Sequence, residues 1–312
     1  MMHSPDLDKR HWAQQPERGN LLLMRITAWL SQRLGRRVTA PIVWLAVIYF
    51  YVFGRRARRS IAQYQRHLQA STPATRLFPS HAAVYRQYLA FAHALLDKLD
   101  CWQGKIDLSA LDIVDSNRLH EQMGSGRGQV LVSSHLGNME ICRALARKNS
   151  RAVMNILIHD KHARHFNRLL QDAGADNVRL LQVSELDPAT MLVLSERIER
   201  GEWLVIAGDR IPLHGARTTE VNFLSATAQL PQGPWLLAGL LRCPANLIFC
   251  TQHGARFQVT LERLANDITW TRTTRHSQVQ LWAQAYADRL AEHCRKAPLQ
   301  WFNFFPFWSP HA

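Results

Sequence analysis

The stretch QVLVSSHLGNMEICRALARKNSRAVMNILI, residues 129–158, decides the fold. It opens with an apolar run of strand length, turns at Gly137, and then repeats apolar residues with helical spacing as far as Lys148. A second strand-like run, AVMNILI, begins at Ala152. Strand, helix and strand in this order predict a β-α-β unit, in which the strands are parallel and reactive turns lie at their carboxyl ends.

The same alternation continues towards the carboxyl terminus. Further strands are predicted at VRLLQV (178–183), EWLVIAG (202–208), PANLIFC (244–250) and RFQVTLERL (256–264), and helices at 161–173, 188–200, 233–243 and 279–298. We therefore expect residues 96–312 to form an α/β domain with a mostly parallel central sheet flanked by helices. Residues 1–95 are expected to form an Arg-rich helical segment that associates with a membrane.

His135 follows the first predicted strand, and Glu140 comes five residues later. On one continuous helix their side chains would point about 140° apart. If His135 lies in the turn and Glu140 in the first turns of the helix, the chain reversal at Gly137 can bring them together. A carboxylate that fixes the tautomer of a histidine makes it a general base. The alternative is a polar turn in which Glu140 caps the helix.

No protein nucleophile accompanies this candidate base. Ser133 and Ser134 precede the histidine, but the sequence contains no Gly-x-Ser-x-Gly elbow. The glycine-rich GSGRG, residues 124–128, lies before its strand, so it is interpreted as an entry turn and not as a phosphate-binding loop. A base without a nucleophile suggests that the substrate supplies its own, such as a hydroxyl that is to be acylated. No cofactor is expected.

Positive charge is concentrated in the amino-terminal region. The net charge is +14, and residues 18–96 contain twelve arginines but no Asp or Glu. Residues 38–53 are uncharged and mostly apolar, and as a helix they would reach about 24 Å, short of a hydrocarbon core of about 30 Å. We expect this segment to lie in one leaflet, with flanking arginines on anionic head groups. An ordinary buried helix is the alternative.

Several other classes of function are disfavoured. No helix-turn-helix, zinc-finger or RNP-like pattern occurs, so we expect no nucleic-acid partner. The first twenty residues are polar, unlike a cleavable signal peptide, and five scattered cysteines suit reduced, cytoplasmic, structural roles. The run HDKHARH, residues 159–165, lacks a carboxylate-rich partner motif, so a basic helix face is preferred there and no metal is expected.

A second polar turn follows the predicted strand that ends near Gly208. Asp209 and Arg210 leave this strand as His135 leaves its own, and both turns should lie at the carboxyl ends of parallel strands. Arg210 is suited to bind a phosphate or carboxylate through two parallel hydrogen bonds, with Asp209 orienting it. The alternative is a surface salt bridge in a loop.

Together these motifs resemble a known family. The motif His-Leu-Gly-Asn-x-Glu after a strand, the Arg-rich amino-terminal region, the Asp209-Arg210 turn and PLQWFNFFPFW (298–308) are similar to features of the late lauroyl and myristoyl acyltransferases of lipid A biosynthesis, in the lysophospholipid acyltransferase superfamily. The resemblance runs from about Trp12 to Trp301. The aromatic residues 301–308 either complete the core or form a lip at a membrane interface.

The resemblance implies transfer of a fatty acyl group from an acyl carrier protein or coenzyme A thioester to a lipid hydroxyl, at the cytoplasmic face of the bacterial inner membrane. His135 would be the base and Glu140 its partner. The residues that would bind substrate are Gly137, Asn138, Asp209 and Arg210. Two alternatives stay open: a non-catalytic basic lipid-binding protein, which should tolerate replacement of His135, and an acyl-thioester hydrolase, in which water replaces the acceptor hydroxyl.

Overall fold

A computed structural model describes residues 41–72, 79–102, 104–107, 111–148, 152–158, 177–182, 187–211 and 217–308. The predicted helix 161–173, the histidine run 159–165 and the first three residues of the apolar segment 38–53 lie outside the described residues.

Helix and strand alternate through most of the described chain. The helices there are α1 (41–53), α2 (Arg55–Ser71), α3 (His81–Trp102), α4 (Leu119–Gln122), α5 (Met139–Lys148), α6 (Pro188–Glu199), α7 (Gly233–Leu240) and α8 (Arg275–Lys296). The strands are β1 (Asp112–Asp115), β2 (Val130–Ser133), β3 (Met154–Ile158), β4 (Val178–Gln182), β5 (Trp203–Ala207), β6 (Thr218–Phe223), β7 (Ala226–Pro231), β8 (Ala245–His253) and β9 (Arg256–Ala265). The predicted α/β class is confirmed.

The central sheet has seven strands in the order β1-β9-β8-β2-β5-β3-β4. Strands β8, β2, β5, β3 and β4 pair in parallel, so their carboxyl ends share one edge of the sheet, called here the carboxyl edge. Strand β9 is antiparallel to β8, and β1 pairs in parallel with β9. The sheet is therefore mainly parallel, as predicted, with a reversed edge that the sequence analysis did not foresee.

Three strands were missed by the sequence analysis. Strand β1 is only four residues long, too short to give a periodic signal. Strands β6 and β7 form a separate two-stranded hairpin in a region for which the sequence analysis predicted no strand. Its turn residues, Leu224 and Ser225, have positive φ angles of 52° and 62°. Such turns usually carry Asn-Gly or another glycine pair, so a Leu-Ser turn gives no recognisable hairpin signal.

The chain forms two compact units. The first contains Met1–Ile106, Asn222–Ala228 and His293–Ala312, and the second contains Asp107–Val221 and Gln229–Glu292. In the first unit, the fully buried Trp301 packs its ring on those of Tyr64 and Phe307, and its carbonyl accepts a hydrogen bond of 2.8 Å from Gln87. The aromatic segment therefore completes the core of the first unit. The predicted boundary at residues 95 and 96 had not included these carboxyl-terminal residues with the amino-terminal helices.

Helix α1 is apolar on most of its surface but only partly buried. Val43 and Val47 pack into a cluster with residues of α2 and α3. The side chains at least half exposed, called here the apolar face, are Trp44 (51%), Leu45 (61%), Tyr49 (57%), Val52 (50%) and Phe53 (63%). The helix is therefore not an ordinary buried helix. None of the described helices is both long enough and apolar enough to cross a bilayer.

The carboxyl end of α1 is closed by protein groups. The guanidinium of Arg58 donates to the carbonyl of Tyr51 and, at 2.8 Å, to that of Val52. The backbone N–H of Gly54 donates to the carbonyl of Phe50 at 2.8 Å. Exposed arginines in the first turns of α2 are Arg55, Arg56 and Arg59. These carbonyls of α1 therefore have donors that do not depend on water, and positive charge lies beside the negative end of the helix dipole.

Candidate active site

His135 lies just beyond the most enclosed strand of the sheet. Strand β2 pairs with β5 on one side and β8 on the other, and all four of its residues are buried. The strand ends at Ser133, and the imidazole of His135, two residues further, is 33% exposed. The histidine is therefore positioned by a rigid strand at the carboxyl edge, while its ring remains accessible to a substrate.

Asp209 is the carboxylate that contacts His135. Strand β5 runs parallel to β2 with Ala207 opposite Ser133, and this register continued by two residues sets Asp209 opposite His135. Oδ1 of Asp209 lies 2.7 Å from Nδ1 of His135, and Oδ2 accepts the backbone N–H of His135 at 2.8 Å. The two contacts fix both the ring and the backbone of the histidine. They leave Nε2 as the ring nitrogen that can accept a proton.

Asp209 is a carboxylate at neutral pH, although its side chain has no exposed surface. Burial alone raises the pKa of Asp209, because it disfavours the charged form. The charge and hydrogen bonds of His135, together with the charge of Arg210, outweigh burial and lower the pKa of Asp209 to about 2. A carboxylate on Nδ1 favours the tautomer in which Nε2 is unprotonated, and it stabilises the imidazolium that forms when Nε2 takes a proton.

The structure gives His135 a carboxylate contact that the sequence spacing did not predict. Glu140 is the second residue of α5 and forms an ion pair of 3.2 Å with Arg143, one turn further along the same helix. The orienting position that the spacing assigned to Glu140 is occupied by Asp209, 74 residues from His135 in sequence. Spacing compares residues of one chain segment, whereas the pairing of β2 with β5 brings two distant segments together. The signal for Asp209 was its place at the end of a neighbouring parallel strand.

Gly137 and Asn138 have backbone roles in the turn after His135. Gly137 has a φ of +73°, and a Cβ there would overlap the carbonyl oxygen of Cys250 on β8. The N–H of Asn138 donates to that same carbonyl at 2.8 Å, and its side-chain oxygen accepts the N–H of Glu140 at 3.2 Å, at the start of α5. These contacts hold the turn on β8. Substrate binding by Gly137 and Asn138 stays a prediction.

Arg210 follows Asp209 directly at the carboxyl edge. Burial lowers the pKa of its guanidinium, and the neighbouring carboxylate of Asp209 opposes that shift. The two predicted polar turns therefore do lie at one edge of the sheet. Both carboxylate oxygens of Asp209 contact His135, and orientation of Arg210 by Asp209 stays a prediction.

A second His–Asp pair in the same unit has nearly the same contacts. Oδ2 of Asp115 accepts the backbone N–H of His120 at 2.8 Å and lies 2.6 Å from Nδ1 of its ring. Oδ1 of Asp115 accepts the N–H of Leu119 at 2.8 Å, so this carboxylate caps the short helix α4. Asp115 ends β1, which runs opposite to β2, so this pair lies at the amino edge of the sheet. The contacts with a carboxylate therefore do not distinguish His135 from His120. What distinguishes His135 is its position at the carboxyl edge.

Side chains that could bind a metal ion are not clustered in the part of the chain that the structure describes. Among those residues, no three His, Cys, Asp or Glu side chains come close enough together to hold a metal ion.

Comparison with known proteins gives the family of the chain. The sequence profile of the bacterial lipid A biosynthesis acyltransferases matches residues 53–309, a span that includes His135, Asp209 and the aromatic segment. The chain belongs to this family. The resemblance predicted from the motifs is thereby confirmed. The match to the family profile begins at residue 53, the last residue of α1. Most of α1 therefore lies outside the matched span.

A relative of known activity is also similar over part of its length. The phosphatidylinositol mannoside acyltransferase of Mycolicibacterium smegmatis (strain ATCC 700084 / mc(2)155) is 23% identical over 202 residues, which cover 64% of this chain and 62% of that protein. The chain thus spans less than two thirds of the length of this relative. Both comparisons concern lipid acyltransferases, and they differ in the lipid that each name gives.

Proposed function

We propose that the protein is a membrane-associated O-acyltransferase of lipid biosynthesis. It moves a fatty acyl group from an acyl carrier protein or coenzyme A thioester to a hydroxyl of a lipid or glycolipid, at the cytoplasmic face of the bacterial inner membrane. The observation that carries this proposal is the His135–Asp209 pair at the carboxyl edge, in a chain of an acyltransferase family. The pair supplies a general base, and no serine elbow accompanies it in the sequence.

In the proposed reaction, His135 carries one proton from the acceptor hydroxyl to the departing thiolate. Nε2 takes the proton of the acceptor hydroxyl while that oxygen attacks the carbonyl carbon of the thioester. The tetrahedral intermediate then collapses, the carbon–sulfur bond breaks, and the departing thiolate receives the proton from the imidazolium. The products are an ester and a thiol. Asp209 stays ionised throughout and stabilises the imidazolium between the two proton transfers.

One experiment separates the proposed activity from its two alternatives. Purified protein is incubated with a radiolabelled acyl thioester and total membrane lipid, and the label is followed by thin-layer chromatography. Label in a lipid ester supports acyl transfer. Label only in free fatty acid supports a hydrolase, and label left in the thioester supports a non-catalytic binding protein. Comparison of the lipids of a deletion strain with those of its parent then identifies the acceptor.

Arg210 is proposed to bind an anionic group on a substrate, such as a phosphate. Arg210→Lys should then raise KM by about tenfold or more, nearly as much as Arg210→Ala, because an ammonium does not reproduce two parallel hydrogen bonds. Arg289→Lys is the matched control, since Arg289 pairs with Glu262 at 2.8 Å and KM should not change. Steady-state kinetics against donor and acceptor decide the matter. Normal KM values in both Arg210 variants would exclude anion binding.

Membrane association is supported by the apolar face of α1 and the arginines that follow it. The side chains of this face offer apolar area to a bilayer, while Arg55, Arg56 and Arg59 offer charge to anionic head groups. The closed carboxyl end of α1 lowers the cost of moving that end out of water, because backbone carbonyls need donors in a bilayer. Apolar burial and charge attraction are then two separable contributions.

Salt should separate these two contributions to membrane binding. At about 1 M salt the Debye length shrinks to about 3 Å, so charge attraction weakens while apolar burial persists. We expect the intact chain to stay on anionic vesicles in high salt. The double variant Trp44→Ser, Phe53→Ser should be released there, because each ring contributes about 1.5–3 kcal/mol when buried.

Vesicle flotation measures this binding. The matched variant Arg55→Gln, Arg56→Gln should weaken binding at low salt and leave the high-salt fraction unchanged. If the intact chain does not float with anionic vesicles even at low salt, α1 is not a membrane-docking helix.

A further inference from the structure

We infer that Tyr286 of α8 is a positioning residue that holds the two strand ends carrying His135 and Asp209 at their working distance. The inference rests on the proposed function, in which these two residues act as a pair. It adds a residue that belongs to neither polar turn and that lies in a helix at the other end of the sequence.

The carbonyl of Ser133 connects the ends of β2 and β5. It accepts the backbone N–H of Gly208 at 2.9 Å and the hydroxyl of Tyr286 at 3.0 Å. Ser133 is the last residue of β2, and Gly208 is the first residue after β5. His135 lies two residues after Ser133, and Asp209 directly follows Gly208. This carbonyl is therefore the last backbone junction before the catalytic pair.

The ring of Tyr286 also packs directly against the end of β5. A Cβ on Gly208 would lie 2.9 Å from Cζ of Tyr286, closer than real Cβ atoms come to their neighbours. The ring is fully buried, and it contacts the ring of Trp235 on α7 with 5.7 Å between centroids. Tyr286 is thus wedged between a second helix and the backbone of β5. It fixes where Gly208, and hence Asp209, can lie.

Small displacements matter at this point because proton transfer depends on geometry. A misplacement of about 1 Å can reduce catalysis by about 10²-fold. The hydroxyl of Tyr286 is not within the pair, so its loss should shift the average geometry without removing a catalytic group. We expect a moderate effect on turnover and none on substrate binding.

The test compares Tyr286→Phe with Tyr64→Phe. Both variants remove one buried tyrosine hydroxyl, but Tyr64 lies in the first unit and outside the site. Tyr286→Phe should lower kcat by about fivefold to tenfold with KM unchanged, whereas Tyr64→Phe should leave kcat unchanged. The Tm of the two variants should agree within about 2 °C, so a general loss of stability does not account for the difference.

Proton NMR measures the hydrogen bond between His135 and Asp209 in the absence of substrate. The proton between Nδ1 of His135 and Asp209 should give a downfield signal that Asp209→Asn removes. This signal should shift or broaden in Tyr286→Phe and stay in place in Tyr64→Phe. An unchanged signal in Tyr286→Phe overturns the inference, whatever happens to kcat. Because no substrate is involved, a shifted signal supports positioning even if the assay for acyl transfer fails and the proposed function falls.

Discussion

His135→Ala should reduce acyl transfer by about 10²–10⁴-fold while the protein stays folded. The variant removes the group that takes the proton of the acceptor hydroxyl, and general base catalysis contributes about 10²–10⁴-fold in enzymes. When the residues of a catalytic unit act together, loss of one removes most of the effect of the unit. Initial rates with acyl thioester and acceptor lipid measure the loss, and circular dichroism verifies the fold.

His120→Ala is the matched control for this substitution. His120 is held by Asp115 through the same two kinds of contact as His135, but at the amino edge of the sheet. Its replacement should leave acyl transfer unchanged. Near-normal transfer by a folded His135→Ala protein would contradict the mechanism and favour a non-catalytic binding protein.

Asp209→Asn should lower kcat by about 10²–10⁴-fold with little change in KM. The amide carries no charge to stabilise the imidazolium, and its NH₂ group can donate to Nδ1 and so favour the wrong tautomer. Glu140→Gln is the informative comparison, because Glu140 pairs with Arg143 on α5. We expect the Glu140 variant to retain most of its activity. If the Glu140 variant loses as much activity as the Asp209 variant, Glu140 is the functional partner of His135.

The pH dependence of stability should separate Asp209 from other groups. Because the pKa of Asp209 is lowered from 3.8 to about 2 in the folded chain, its ionisation stabilises the fold above about pH 4, and this stabilisation is lost as pH falls through about 2. Urea unfolding of wild type and Asp209→Asn should therefore differ at neutral pH and converge towards pH 2. A loss of activity between pH 4 and 8 would then arise from another titrating group.

The sequence located the site more reliably than it described the contacts within it. The apolar runs before His135 and Asp209 predicted two strands, and the alternation with helices predicted that the strands are parallel. Those inferences were sufficient to put both residues at one edge of a sheet. They were insufficient to pair the residues, because the order β2-β5 depends on how all the helices and strands pack. Glu140 was chosen because it is the carboxylate nearer to His135 in sequence. Pairing of parallel strands, however, brings together residues that are far apart in sequence.

The amino-terminal helix illustrates a different limit. Composition was enough to predict an apolar helix between arginines. The division of that helix into a packed side at Val43 and Val47 and an apolar face depends on contacts with α2 and α3. The role of Arg58 is also a tertiary matter, since its neighbours Arg56 and Arg59 have the same chemistry but only Arg58 is turned back onto the carbonyls of Tyr51 and Val52. Charge counting does not distinguish these arginines.

The unequal exposure of the two members of the site has a consequence for inhibitor design. Asp209 is wholly enclosed, whereas the ring of His135 is one third exposed. A carboxylate-directed reagent such as a carbodiimide therefore has no route to Asp209, while a small electrophile can reach the imidazole of His135. The contact of Nδ1 of His135 with Asp209 also keeps the imidazole from rotating away from an incoming molecule. A useful compound against this protein should present a hydrogen-bond donor or a mild electrophile to Nε2, and should be built outward from there along the carboxyl edge.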